Sequence, residues 1–207
     1  MPSSRRIVVA LLSLLSLVAC ASEDPGRNVE RMADPLAAPA GSPVVARAPS
    51  DTLATDSVRK SQAAAVSQRV ADTEITVTYS RPVARGRELF GALIAYGKVW
   101  NPGADQATAV RFSRDVELEG RTLAAGAYSV WVIPNAAAWT VIFNRAAEVY
   151  HEPYPGEASD ALRIEVPTAV GPYAEVLTFE FPLVEGKRTT LRMAWGTTHI
   201  DMAVRVP

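Results

Sequence analysis

Along several stretches of this chain, apolar side chains recur at every second position. Ile75, Val77 and Tyr79 fall on one face of TEITVTYS, Trp139, Val141 and Phe143 on one face of WTVIFN, and Leu162, Ile164 and Val166 on one face of ALRIEVP. Leu191, Met193 and Trp195 do the same in TLRMAW, as do Ile200, Met202, Val204 and Val206 in HIDMAVRV. A period of two marks strands with one face in a core and the other in water, so these are read as half-buried antiparallel strands. Turn residues punctuate them: Glu119-Gly120-Arg121, Ala125-Gly126, Glu185-Gly186-Lys187 and Gly196-Thr197 stand where consecutive strands must reverse. Many short strands with close turn signals predict an all-β fold, an antiparallel β-sandwich of jelly-roll type. One stretch breaks the pattern. In GRELFGALIAY, Leu89, Leu93 and Tyr96 are spaced for one or two helical turns on the sheet. At most one short helix is therefore expected, and its two glycines weaken even that.

The first 59 residues have a different character. The chain opens MPSSRRIVVALLSLLSLVACAS, where Arg5 and Arg6 precede an apolar run over 7–19. That run is shorter than the roughly 20 residues a bilayer span needs, so 1–19 reads as an export signal. It ends in Leu17-Val18-Ala19-Cys20, which resembles the lipobox of bacterial lipoproteins, where the signal is cut before the cysteine and the cysteine carries lipid. Ordinary cleavage after Ala19-Cys20-Ala21 is the competing reading. The resemblance implies that Cys20 is lipidated and that the membrane is a partner through this anchor, each buried methylene adding about 0.8 kcal/mol. Ala21, in place of an aspartate, implies sorting to the periplasmic face of an outer membrane. The following residues, rich in Ala, Pro and Ser without a sustained period, read as a disordered tether, so that 20–59 carry the anchor and 60–207 the folded domain.

Composition narrows the function. Cys20 is the single cysteine, which excludes an intramolecular disulfide and a thiolate metal site in the domain. With 21 Lys+Arg against 22 Asp+Glu there is no global field for polyanions, and no nucleic-acid partner is expected. Hydrophobic residues make up 48% of the chain, enough for an ordinary core.

Catalytic signatures fail on inspection. Gly91 to Gly97-Lys98-Val99 has one residue too many for a phosphate loop and a valine where the magnesium-binding hydroxyl belongs. His151-Glu152-Pro153-Tyr154-Pro155 offers one histidine where a zinc protease needs two on one helix, and its prolines break helices. There is no G-x-S-x-G elbow. No catalytic residue, metal or cofactor is assigned. His199 alternates with Ile200 and Met202 and so faces solvent, whereas His151 sits in the polar loop HEPYPGEASD, where binding residues commonly lie. Glu88, Asp105, Glu148, Glu152, Glu157 and Asp160 all qualify equally as glycosidase acids, and solvated surface carboxylates are the default for such a set.

The aromatic and basic residues are more selective. Trp139 and Trp195 fit core alternation, and Trp131 is either core or exposed. Trp100, between Lys98 and Asn101-Pro102-Gly103, sits in a loop as a candidate ligand contact. Arg81, Arg85, Arg87 and Lys98 are opposed only by Glu88, which suits a solvated face or an anion or glycan site. Asn144 and Arg145 place an amide and a cation at a strand end, as a binding pair or a turn signal.

Tyr79-Ser80-Arg81-Pro82, Gly86-Arg87, Phe90-Gly91, Tyr96-Gly97-Lys98-Val99-Trp100 and Gly103-Ala104 resemble a bacterial family catalogued as domain of unknown function 2911. The likeness continues through Ala107-Thr108, Ala125-Gly126-Ala127-Tyr128-Ser129, Ile133-Pro134 and Trp139 to Asn144. It implies a secreted or lipid-anchored envelope domain, all-β in character, and leaves activity open. Members of that family often read Trp-Arg-Thr-Gly-Ala-Asn-Glu-Ala-Thr where this chain has Trp100-Asn101-Pro102-Gly103-Ala104-Asp105-Gln106-Ala107-Thr108. The carboxylate has moved one position, which a fixed general acid would not survive and a binding loop or structural turn tolerates.

The candidate ligand residues are thus Arg81, Arg87, Lys98, Trp100, Asp105, Asn144 and His151. The expected function is a lipid-anchored envelope protein whose domain binds a glycan or protein partner without catalysis. The alternatives are an envelope-polymer hydrolase using His151 and Glu152 as acid and base, and a purely structural role in envelope assembly.

Overall fold

The computed structural model describes residues 61–207, so the stretches read as export signal and tether, with Cys20, lie outside the described residues. Within them the chain forms β1 (Gln62–Val70), β2 (Thr73–Arg81), β3 (Ala109–Phe112), β4 (Val116–Leu118), β5 (Arg121–Leu123), β6 (Gly126–Ile133), β7 (Ala138–Asn144), β8 (Asp160–Glu185) and β9 (Arg188–Arg205). All pairings are antiparallel, in the order β1-β2-β3-β6-β7-β8-β9-β4-β5. The all-β class is what the alternation requires, and every apolar residue named for it is buried. Each large side chain fully buried this way contributes about 1.5–3 kcal/mol relative to exposure.

β8 organises the layers. Its first part pairs with β7, from Asn144↔Asp160 to Ala138↔Pro167, and its remainder pairs with β9, from Thr168↔Ile200 to Glu185↔Arg188. One long strand therefore serves two wings of a continuous sheet, and a single core holds Ile75, Val77 and Phe143 from one wing with Leu191, Met193 and Met202 from the other. The chain leaving β2 ties back to β8: the Ala84 amide donates to the Glu175 carbonyl (2.7 Å) and the Leu177 amide to that of Pro82 (3.0 Å). Tyr79 packs edge-on against Phe179, with ring centroids 4.9 Å apart, and its hydroxyl accepts from the Phe179 amide at 3.2 Å.

Turn chemistry works where both central residues suit it. Leu118 faces Arg121 across Glu119 and Gly120, both at positive φ (47° and 75°), the primed turn that matches strand twist. Gly196-Thr197 behaves differently from the expected reversal. It lies inside β9, where Gly196 at φ 61° stands beside the irregular pairing around Ala174. The left-handed residue acts as a bulge and shifts the inward parity from odd numbers (Leu191, Met193, Trp195) to even ones (Ile200, Met202, Val204). A Cβ at this glycine would lie 2.9 Å from Leu89 Cδ1. Ala125-Gly126 likewise joins β5 to β6, which are not neighbours in the sheet.

No α-helix occurs among the described residues, and the expected turns of helix in GRELFGALIAY are absent. The amides of Leu93 and Ile94 reach back to the carbonyls of Glu88 and Leu89, and Gly91 at φ 91° ends any helical path. Leu89 is buried, while Leu93 and Tyr96 are 44% and 46% exposed. Trp131 proves to be core. It faces away from the main core and packs with Ile142 and Ala107 beneath the loop over 145–159, whose Tyr154 meets it edge-on at 5.3 Å.

Candidate functional site

The connection between β2 and β3, residues 82–108, crosses the wings and is pinned at several points. It turns at Arg85-Gly86, both at positive φ (54° and 68°). It then pairs with β6: Trp100 and Val132 exchange both backbone hydrogen bonds at 2.8 Å. The Trp100 ring stacks on Trp195, with centroids 5.9 Å apart, and meets the edge of Phe90 at 6.0 Å.

The residues after Trp100 are a fixed turn. Asn101 is buried, donating from Nδ2 to the Val130 carbonyl (2.8 Å) and accepting the Thr108 amide on Oδ1 (3.1 Å). Thr108 Oγ1 donates to the Pro102 carbonyl at 2.8 Å. Gly103 is required by space, since a Cβ would lie 2.7 Å from that hydroxyl. Asp105 adopts φ 60°, a left-handed conformation that Asp and Asn tolerate better than other side chains.

Asp105 in turn orients His151. Its carbonyl accepts the His151 amide at 3.0 Å and meets ring Nδ1 at 2.7 Å. A carbonyl only accepts, so Nδ1 carries a proton and Nε2 is the ring nitrogen left without a partner. The bridge between Gln106 and Tyr150 holds the two loops together.

These segments enclose a cleft of about 630 Å³ lined by Arg85, Arg87, Lys98, Trp100, His151 and Glu152, with Val83, Ile94 and Trp195 among its apolar surfaces. Arg87 is held by its own loop: Nε donates to the Ala84 carbonyl (2.8 Å) and Nη2 to that of Val83 (2.7 Å). Beside the cations, Glu175 accepts the Arg85 amide and the Tyr173 hydroxyl at 2.8 and 2.7 Å. Foremost the Tyr173 bond, then the Arg85 amide and the charges of Arg85 and Arg87, hold its carboxyl below the usual range.

Of the candidate ligand residues, Arg87, Lys98, Trp100 and His151 come together in this cleft. Asp105 serves it through its carbonyl, and its carboxylate is not part of the lining. Arg81 ends β2 outside the lining, with a buried Nε that has no hydrogen-bond partner. Asn144 is corrected to a structural role. It is fully buried, donates from Nδ2 to the Gly156 carbonyl (3.1 Å) and Asp160 (2.8 Å), and accepts the Ala146 amide (3.0 Å), so its amide is already occupied. Trp195 is buried, as its alternation requires of a core residue, yet it also lines the cleft. No local signal marks that second part, which arises because the crossover lays Trp100 on it.

Among the described residues no cluster of three His, Cys, Asp or Glu side chains is arranged to hold a metal ion. Residues 61–204 match a family described as Protein of unknown function (DUF2911). No curated protein and no solved structure matches the chain.

Proposed function

The chain belongs to the DUF2911 family of proteins of unknown function, and for this member we propose a lipid-anchored cell-envelope protein whose β domain binds a glycan in the Trp100 cleft without catalysis. The anchor is Cys20, at the end of the export signal, and the membrane is the periplasmic face of an outer membrane. The observation that carries the binding reading is Trp100 itself. Its backbone is clamped to Val132 and its ring is backed by Trp195, so a flat apolar surface is held ready while Arg87, Lys98 and His151 stand around it. A concave site of roughly 300–1,000 Å³ with an apolar floor and a few fixed polar groups is the usual form of a small-ligand site. Preorganisation matters here because a floor that does not reorder on binding loses little entropy.

The hydrolase reading draws on one observation, the free Nε2 of His151 beside Glu152. Glycoside cleavage needs two carboxyl groups facing each other, and among the described residues Glu152 is the one carboxylate in the lining. Binding is therefore preferred. The test is retention of the chain on immobilised envelope glycans, comparing wild type with a Trp100→Ala, Lys98→Ala double variant. Loss of retention is expected, and unchanged retention would remove the cleft from the account.

A further inference from the structure

The charge of the cleft says what kind of glycan it suits, on the premise that it is a glycan site. Three cations, Arg85, Arg87 and Lys98, line it against one carboxylate, Glu152, with Glu175 beside them engaged by Tyr173 and the Arg85 amide. Among the described residues none of these three cations is ion-paired, whereas Arg114, Arg163, Arg192 and Arg205 each meet a carboxylate. Arg87 is also preorganised. Two of its five N–H groups are spent on the carbonyls of Ala84 and Val83, which fix the guanidinium plane and leave three donors. A guanidinium presented this way matches the planar oxygens of a carboxylate or the face of a phosphate, and Lys98 adds a mobile point charge.

We infer that the ligand is an acidic glycan, whose carboxylate or phosphate is received by Arg87 with Lys98 and Arg85 beside it, while Trp100 takes a sugar face and His151 Nε2 hydrogen-bonds a hydroxyl. The full-length protein in detergent would be titrated with polygalacturonate, its fully methyl-esterified form and a phosphorylated mannan. The acidic polymers should bind about tenfold or more tighter than the ester, with the preference shrinking as salt shortens the screening length. Arg87→Gln should remove that preference. Because Arg87 also braces its loop, Lys98→Met, which removes a charge without removing a side-chain hydrogen bond, should independently weaken the acidic polymers by a larger factor than the ester. Whichever acidic polymer wins identifies carboxylate or phosphate as the source. Equal binding of acid and ester, both lost in Trp100→Ala, would overturn the inference and leave the glycan reading standing. Binding of none of the three polymers would overturn both.

Discussion

The indole rings of Trp100 and Trp195 lie 16° from parallel, one contributed by the crossover after β2 and the other by β9. Phe90 closes the same group at 6.0 Å from Trp100 and 6.3 Å from Trp195. The pair divides two tasks, since Trp195 is buried in the core and Trp100 is half-buried at the cleft. Trp195→Ala should cost about 3–5 kcal/mol, as other buried aromatic truncations do. Trp100→Phe should leave the fold near wild-type stability and weaken glycan binding. Urea denaturation of both variants, beside retention on glycan, separates the two roles.

Asp160 clasps the loop over 145–157. Its Oδ1 accepts from Asn144 Nδ2 (2.8 Å) and the Tyr154 hydroxyl (2.5 Å), and its Oδ2 from Arg163 Nε (2.6 Å). Burial, and then the bond to Asp160, push the Tyr154 hydroxyl up. Asp160→Ala should cost about 1–3 kcal/mol by leaving these donors unmatched. Hydrogen exchange should rise in that loop and around Trp131 beneath it, with little change in β1 and β2.

Much of this architecture was legible locally, because alternation reports which strand face is buried wherever one face meets the core. It misled at Gly196, where the parity shift between Trp195 and Ile200 is as expected for a bulge as for a new strand. Only the pairing of β9 with β8 on both sides of Gly196, Thr168↔Ile200 on one and Phe179↔Met193 on the other, decides, and that is a long-range fact. The site divides the same way. Arg87, Lys98 and Trp100 could be nominated because one short segment carries them, and His151 because a polar loop does. That they meet depends on the Gln106–Tyr150 bridge, which has no sequence signature. Asn144 misled because a buried amide that ends a strand and an exposed one that greets a ligand look identical in sequence.

Gly196 and Gly186 form a matched pair for testing the bulge. Both have left-handed φ, 61° and 57°, but a Cβ at Gly186 meets open space and one at Gly196 meets Leu89. Gly186→Ala should cost about 1–2 kcal/mol from backbone strain alone. Gly196→Ala should cost distinctly more, and with Leu89→Ala added the total loss should fall short of the sum of the two single losses, because the clash is gone. Thermal melts of the single and double variants provide the comparison.

Arg192 makes stability depend on acid. Its Nε and Nη2 donate to the two oxygens of Asp201 at 2.6 and 2.7 Å, and this bond, over the opposing effect of burial, holds the Asp201 carboxyl below its usual range. A carboxyl depressed in the folded state contributes stability above its unfolded value, about 3.9, and loses it as pH falls through the folded one. Asp201→Asn should therefore be less stable than wild type at neutral pH. The gap should narrow steadily below about pH 4 in urea titrations across the acid range.

The central claim is that the Trp100 cleft is the binding site, and the most direct measurement is calorimetric titration of the protein with an envelope glycan fraction. Wild type, Trp100→Ala and Asp201→Asn would be compared at neutral pH. Asp201 pairs with Arg192 away from the cleft lining and serves as the control for altered stability. Saturable heat in wild type and Asp201→Asn, lost in Trp100→Ala, is the predicted result. Equal binding by all three proteins would contradict it.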